Sequence, residues 1–257
     1  MSNSVISNKA RIGSNFKIGN FSVIEDDVVI GDNVEIGNNV TIANGARIAN
    51  GVKISHGAVI ATQPQDLKFS GEVTTAEIGE GTVIREYVTV NRGTKYSNKV
   101  VVGKNCFIMA YVHVAHDCII GDNVILANSV QMGGHVEIDD YTIIGGLVGI
   151  HQFVKIGKQT MIAAHSMLVK DVPPYIVAGN DPVQYEGINH IGLKRRGFTS
   201  EQLAKLREVY EIIYNSGLNV SDAVKKAKSE IKADNNINDV FDFIEKRSTR
   251  GIIRGLK

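Results

Sequence analysis

Hydrophobic positions recur along this chain with a period of six residues. Twenty-five aliphatic residues occupy one phase of that repeat between Ile6 and Leu168. An α-helix has 3.6 residues per turn, whereas a short strand of alternating inward and outward residues followed by a tight corner fits a period of six. Three such units close a triangular coil, and successive coils stack as parallel strands. We therefore predict an all-β solenoid of nine to ten coils over residues 1–175.

The residues next to these aliphatic positions fit the same interpretation. Two residues earlier lies a second inward candidate that is small or β-branched, as at Val34 and Ala46. The residue directly after is often Gly, as at Gly13, and Asn or Asp commonly follows, as at Asn33. Gly, Asn and Asp tolerate the backbone geometry of turns, so we expect them to form the corners.

Two stretches interrupt the repeat without changing its phase. They cover residues 61–77 and 91–101. An insertion that leaves the register of a solenoid intact is a loop ejected from a corner, and such loops often carry function.

The pattern changes after Pro173 and Pro174, where two prolines stop strand pairing. We expect a connecting segment over residues 176–198 and a small α-helical C-terminal domain over 199–257. Helical spacing begins near Thr199, with Ser200 as the expected N-cap and Gly217 as the stop. Two further short helices are predicted over residues 223–231 and 237–244.

Composition and charge add limited information. The 26 Gly and 4 Pro suit frequent turns and continuous backbone pairing. Cys106 and Cys118 form no metal motif and no disulfide framework, so we expect buried, reduced thiols. Neither a signal peptide nor an apolar run of membrane-spanning length is present, which favours the cytoplasm without stable membrane insertion. Residues 190–257 hold 14 Lys/Arg against 9 Asp/Glu, which suits an acidic partner or a solvated helical face.

Four of the seven histidines lie within residues 113–151. His116, His135 and His151 follow one another at intervals close to one coil, so we expect them near one edge of the solenoid. Three interpretations remain open: surface-turn histidines, a zinc site with ligands from neighbouring coils, and acid–base catalysis. In the last, His116 cycles a proton near neutral pH and Asp117 orients its imidazole.

Motifs in order along nearly the whole chain resemble the UDP-N-acetylglucosamine acyltransferase family of lipid A synthesis. The hexapeptide units alone are similar only to a wider superfamily, and the segments between them carry the specific likeness. These segments are Gln65–Lys68, His113–Asp117, Gly133–His135, Ile150–Phe153, Asp171–Tyr175, Gly192–Phe198 and Ser248–Arg254.

The resemblance implies a left-handed parallel β-helix of hexapeptide repeats, a hand that the repeat itself does not dictate. It also implies catalytic roles. His116 would be the general base that takes the proton of the sugar 3-hydroxyl, and Asp117 would orient it. The backbone N–H of Gly134 would stabilise the oxyanion.

Substrate contacts are implied in the same way. His113, His135, His151 and Gln152 would line the groove for the nucleotide sugar and the acyl chain, and Ala164 would influence the acyl length accepted. Ile191 stands where the family often carries a Glu for the ribose, which leaves the ribose contact open. The remaining implied contacts are Gln65, Asp66 and Lys68 for the sugar or acyl hydroxyl and for negative charge, and Asn189, Arg195 and Arg196 for uridine and phosphate.

The function implied is transfer of a 3-hydroxyacyl chain from acyl carrier protein to the 3-hydroxyl of UDP-N-acetylglucosamine. The family works as a homotrimer, with no cofactor, no metal and no nucleic acid. One alternative is an acceptor with a 3-amino group. A second is the related N-acyltransferase of the pathway. That enzyme carries an extra N-terminal domain, and the hexapeptide units of this chain, which start at about Ile6, leave no room for it. A third is a non-catalytic scaffold, which would need no histidine cluster on one edge.

Overall fold

A computed structural model describes residues 3–255 of the chain. Residues 1–2 of the expected solenoid and residues 256–257 of the expected helical domain lie outside the described residues. Short strands form three sheets that face one another as a triangular prism. Sheet A consists of β1 (Val5–Ile6), β4 (Val23–Ile24), β7 (Thr41–Ile42), β10 (Val59–Thr62), β13 (Thr89–Asn91), β16 (His113–Val114), β19 (Gln131–Met132), β22 (Gly149–Ile150) and β25 (Met167–Leu168). Sheet B consists of β2 (Arg11–Ile12), β5 (Val29–Ile30), β8 (Ala46–Ile48), β11 (Thr75–Ile78), β14 (Lys99–Val102), β17 (Ile119–Ile120), β20 (Glu137–Ile138) and β23 (Lys155–Ile156).

Sheet C completes the prism and continues beyond it. Its strands are β3 (Lys17–Ile18), β6 (Glu35–Ile36), β9 (Lys53–Ile54), β12 (Val83–Ile84), β15 (Phe107–Ile108), β18 (Ile125–Leu126), β21 (Ile143–Ile144), β24 (Met161–Ile162), β26 (Ile176–Gly179), β27 (Gln184–Ile188) and β28 (Arg254–Gly255). Within the prism each strand pairs in parallel with a strand of the next coil, as β17 does with β20.

The in-phase aliphatic residues fill the interior of the prism. From Ile24 to Leu168 each is at most 5% exposed, whereas Ile6 in the first coil is 42% exposed because no described coil covers that end. Cys106 and Cys118 are buried and unbridged, as expected. Burial raises the pKa of the Cys118 thiol to about 12, so the residue is a small apolar filler.

Asparagine takes the left-handed corner positions as the sequence suggested, whereas the glycines directly after the inward aliphatic residues have a second role. A left-handed backbone recurs three residues after the inward aliphatic residues, for example at Asn33 (φ 58°), and bulky Tyr87 also adopts it (φ 58°). Gly13, directly after Ile12, is not left-handed. An added Cβ there would lie 2.6 Å from the backbone carbon of Gly31 in the next coil. These glycines begin the corners, as expected, but glycine is needed there for close stacking of the coils and not for a left-handed turn.

The prism has three edges, each defined by the sheets that it joins. Edge AB carries the chain from sheet A to sheet B, edge BC from B to C, and edge CA from C to A. Both interruptions of the repeat leave from edge AB, as loop 1 (residues 63–74) between β10 and β11 and loop 2 (residues 92–98) between β13 and β14. The loops are shorter than the sequence pattern indicated because Ala76 and Val100 occupy inward positions and extend the strands.

The expectation that strand pairing stops at Pro173 and Pro174 is wrong, because sheet C continues beyond them into residues 176–188. β26 pairs in parallel with β24, and β27 returns antiparallel to β26. The helices that follow are α1 (His190–Arg195), α2 (Ser200–Asn215), α3 (Val220–Glu230) and α4 (Asn235–Glu245).

The expectation that Ser200 is the N-cap of α2 is wrong by one residue. Thr199 has the extended backbone of a cap (φ −72°, ψ 160°), and its hydroxyl accepts from the Gln202 N–H at 3.2 Å. The Gln202 side chain accepts in turn from the Thr199 N–H at 2.9 Å, which completes a capping box.

The helices pack on the end of the solenoid and share its core. The Tyr210 hydroxyl of α2 donates to the Pro174 carbonyl at 2.6 Å. Asp171 is fully buried and accepts from the backbone N–H of Lys155 at 2.9 Å and of Ser248 at 2.6 Å. Asp171 therefore ties the C-terminal segment to the last coils. Within residues 3–255, no helix combines the length and the apolar character needed to cross a lipid bilayer.

Candidate active site

His116 and Asp117 form a buried pair on edge AB, directly after β16. Asp117 is fixed in the left-handed corner conformation (φ 59°), and its Oδ2 lies 2.8 Å from His116 Nδ1. The imidazole is 11% exposed and the carboxylate side chain is fully buried. Because an ionised carboxylate only accepts, the proton sits on Nδ1, and Nε2 keeps a lone pair that can act as a base.

Loop 2 folds over this pair and supplies most of the donors that Asp117 accepts from. They are the N–H and Oγ1 of Thr94, at 3.0 and 2.8 Å, and the N–H of Ser97 at 3.2 Å, together with a short bond from Ser97 Oγ. Burial alone would raise the pKa of Asp117. The bonds from Ser97, His116 and Thr94 outweigh it and lower the pKa from 3.8 to about 2.

The next coil adds His135 and Gly134 to the same edge. The rings of His116 and His135 are 5.0 Å apart and nearly perpendicular, and Phe153 stacks on His135 at 4.3 Å. Burial lowers the pKa of His135, against an opposing effect of Asp117, so this ring favours the neutral form. Gly134 passes so close to the base that an added Cβ would lie 2.6 Å from His116 Nε2. Only glycine fits at this position without displacing the imidazole.

His113 and loop 1 border the cluster. His113 points outward from β16 and its Nδ1 lies 2.7 Å from the Thr89 hydroxyl, while burial and the neighbouring His116 lower its pKa. Asp66 in loop 1 caps its own turn through the Lys68 N–H at 2.9 Å and lies near enough to His135 to act on its charge. The neighbouring side chains of Gln65 and Lys68 are exposed.

The other residues named from the sequence do not join this cluster within one chain. His151 and Gln152 are exposed one coil further along edge AB, where the Gln152 carbonyl accepts from Arg250 Nε at 2.7 Å. The remaining expected residues lie on the two other edges. On edge BC, Asn189 caps α1 and donates to the Gln159 carbonyl. Arg196 donates to the Tyr141 carbonyl of the same edge, and its neighbour Arg195 is exposed. Ala164 is exposed on edge CA.

Sequence reasoning missed Thr94, Tyr96 and Ser97 of loop 2. Thr94 and Ser97 hold Asp117, and the Tyr96 ring meets His135 edge-on at 4.5 Å. The only signal available was that loop 2 interrupts the repeat beside the histidines. Ser and Thr are so common in turns that neither residue was distinctive.

The zinc interpretation has a geometric basis at the same place. His116, Asp117 and His135 each offer one ligand atom, and these atoms lie within 4.8 Å of one another. In this arrangement Asp117 Oδ2 is already committed to His116 Nδ1. A cation there would replace that hydrogen bond and occupy the base, so the two uses of the cluster exclude each other.

Comparisons with known proteins agree with this geometry. Residues 9–44, 27–62 and 99–134 match bacterial transferase hexapeptide repeats, and residues 171–253 match the second domain of UDP-N-acetylglucosamine O-acyltransferase. The acyl-[acyl-carrier-protein]–UDP-N-acetylglucosamine O-acyltransferase of Sulfurihydrogenibium sp. is 51% identical over 96% of this chain and 92% of its own. That of Chlorobaculum tepidum is 56% identical over 72% of this chain and 71% of its own. The crystal structure of LpxA, a UDP-N-acetylglucosamine acyltransferase from Bacteroides fragilis, is 48% identical, covers 98% of both chains and has a TM-score of 0.96.

The fold and the histidine edge thus define a hexapeptide-repeat acyltransferase. The left-handed sense of the β-helix, expected from the resemblance, is confirmed by these structural relatives. Within that class, the chain belongs to the UDP-N-acetylglucosamine O-acyltransferase family.

Proposed function

We propose that this chain transfers a 3-hydroxyacyl group from acyl carrier protein to the 3-hydroxyl of UDP-N-acetylglucosamine, the first step of lipid A synthesis, with His116 as general base. The observation that carries the proposal is the hydrogen bond between His116 Nδ1 and Asp117 Oδ2. This bond takes up the Nδ1 proton, so Nε2 is the nitrogen that carries the lone pair in the neutral imidazole, which is the form that a general base needs.

The reaction follows from this arrangement. His116 Nε2 takes the proton of the sugar 3-hydroxyl as that oxygen attacks the thioester carbonyl, and a tetrahedral intermediate forms. The Gly134 N–H stabilises its oxyanion, and Asp117 stabilises the imidazolium. When the intermediate collapses, the new ester remains on the sugar. The carrier thiolate leaves and takes the proton back from His116.

The substrate contacts are proposed residue by residue. His113, His135, His151 and Gln152 line the groove, Asp66 binds a hydroxyl, and Gln65 and Lys68 approach the substrate from loop 1. Asn189, Arg195 and Arg196 hold the uridine and the diphosphate, and Ala164 limits the acyl chain. In one chain these groups lie on three different edges, and therefore we propose a homotrimer in which each site lies between adjacent solenoids.

The setting of the reaction follows from its substrates. An acidic carrier protein matches the positive balance of residues 190–257. We place the enzyme in the cytoplasm, where acyl carrier protein and nucleotide sugars meet, with no stable membrane insertion, no nucleic acid and no cofactor.

Substitution of the base tests the proposal. His116→Ala should abolish transfer, because it removes the general base, and light scattering should show an unchanged oligomeric state. Near wild-type turnover in this variant would contradict the base assignment. Metal analysis of the purified protein gives an independent test, since stoichiometric zinc would favour the competing use of the cluster.

The acceptor atom needs a separate experiment. Mass spectrometry of the product formed from a mixed pool of acyl carrier thioesters distinguishes an ester from an amide. An ester with a hydroxyl acceptor is expected. Preference for a 3-amino sugar and an amide product would favour the alternative acceptor instead.

A further inference from the structure

Loop 2 encloses the Asp117 carboxylate on the side away from His116. Oδ1 accepts from the backbone N–H groups of Thr94 and Ser97 and from Ser97 Oγ, while Oδ2 accepts from Thr94 Oγ1 and faces His116. The carboxylate side chain is fully buried. A buried carboxylate without such donors would be driven towards its neutral form.

The loop itself is held rigidly enough to aim these donors. Thr94 Oγ1 accepts from the Tyr96 N–H at 3.2 Å, and the Thr94 carbonyl accepts from the Asn98 N–H at 2.8 Å. The middle of the loop is tied to loop 1, where the Lys95 N–H donates to Glu72 Oε1 at 3.2 Å. These bonds fix the turn before any substrate binds, and donors held in place in this way need no rearrangement during the reaction.

We propose that Thr94 and Ser97 are positioning residues for catalysis, which keep Asp117 ionised and fixed in the rotamer that holds the Nδ1 proton of His116. Neither residue touches the reacting atoms, and both act through Asp117. This inference rests on the proposed role of His116 as the base and adds the device that prepares that base.

The rival account gives these bonds a purely structural role in anchoring loop 2. The two accounts differ in what happens to His116. If the loop positions Asp117, loss of its donors lets the carboxylate turn away from the imidazole, and the imidazolium of His116 loses the negative charge that stabilises it. The acidic limb of the pH profile of kcat/KM then moves to lower pH, because that limb reports the base of the free enzyme. A loop that is only an anchor leaves the limb in place.

Two substitutions remove the side-chain donors and leave the backbone donors. Thr94→Val and Ser97→Ala should each lower kcat about tenfold, or about 1.4 kcal/mol, with little change in KM. Both should move the acidic limb to lower pH. Thr94→Ser and Ser97→Thr keep the hydroxyl groups and should restore the wild-type profile. Lys95→Ala is the matched control, since its exposed side chain lies on the same loop.

An unchanged acidic limb in both variants would overturn the proposal. This holds if kcat stays at the wild-type value, and also if kcat falls together with the melting temperature, as a purely structural role would predict. If Thr94→Val does not fold, Ser97→Ala decides alone, because Ser97 is only half-buried. Full turnover of His116→Ala would refute the assignment of His116 as the base. An unchanged acidic limb in the loop variants would refute only the positioning role of Thr94 and Ser97.

Discussion

The Asp117 carboxyl is subject to two opposed influences, burial and hydrogen bonding, and the second is the larger. Its pKa in the folded chain is about 2, below the ordinary 3.8, so the ionised group stabilises the fold above about pH 4. That contribution is lost as the pH falls towards 2. Its size is about 2 kcal/mol, since one pKa unit corresponds to about 1.4 kcal/mol.

Asp117→Asn should therefore change the pH dependence of stability. The free energy of unfolding of the wild-type protein relative to the variant should shrink by about 2 kcal/mol between pH 5 and pH 2. Urea denaturation at fixed protein concentration measures this difference. A difference that stays constant over that range would show that Asp117 is not held ionised by its donors.

Gly134 offers a second test at the scale of single residues. Gly134→Ala would place a Cβ 2.6 Å from His116 Nε2, and the imidazole must then turn away. We expect kcat to fall at least a hundredfold, about 2.7 kcal/mol, with little change in the melting temperature because the end of a side chain can move. Unchanged turnover of Gly134→Ala would contradict the close approach of this glycine to the base.

Among the elements, strand β17 shows how the repeat stabilises the solenoid. Ile120 is 1% exposed in the core and its neighbour Ile119 is 47% exposed on the outer face. Ile120→Ala should lower the free energy of unfolding by about 2–5 kcal/mol, because it leaves a cavity in a packed interior. Ile119→Ala is the matched control and should cost under about 1 kcal/mol. Equal losses in chemical denaturation would contradict the inward and outward assignment.

The start of α2 supplies a second pair of matched variants. Thr199 forms both bonds of the capping box, whereas Ser200 is the first helical residue. Thr199→Ala should lower stability by about 1 kcal/mol, and Ser200→Ala should change it by about 0.5 kcal/mol or less. Thermal or urea denaturation of the two variants, compared side by side, checks the correction of the cap position.

At the scale of the whole molecule, a shared site predicts complementation between inactive chains. A His116→Ala chain and an Arg195→Ala/Arg196→Ala chain are each expected to be inactive alone. In a trimer whose sites combine edge AB of one chain with edge BC of the next, random mixing would give about a quarter of the sites both intact edges. Co-expression followed by an acyl-transfer assay measures the recovery. No recovery at all would mean that each site lies within one chain.

Much of the whole fold could be predicted from the sequence because the repeat is strict. Ile24 and Ile120 occupy the same position of the six-residue repeat, and both are buried. A constant position in the repeat means that the same residue of every unit points into the core. The closeness of His116 and His135 followed from their spacing of about one coil, and the ring separation of 5.0 Å confirms it. Periodicity therefore carried information over long distances in this chain.

The rest could not be predicted because it depends on atoms brought together by non-repeating segments. Thr94 and Ser97 resemble ordinary turn residues, and only the folded loop directs them at Asp117. Thr199 and Ser200 are both good caps, and the choice between them depends on the backbone. The separation of Arg196 from the histidines becomes visible only when the edges are known.

Both ejected loops leave the prism at edge AB, and every strand beside them still pairs with the coils above and below. Apart from one irregularity in the pairing of β10 with β13 between Ile60 and Thr62, the added residues at this corner leave the strand register and the interior intact. Over evolutionary time, changes in loop length can accumulate there, whereas the other corners are constrained by close packing against the neighbouring coils. Proteins of this kind can thus change the residues around their reacting groups through small insertions at one edge, while the solenoid that holds those groups stays the same.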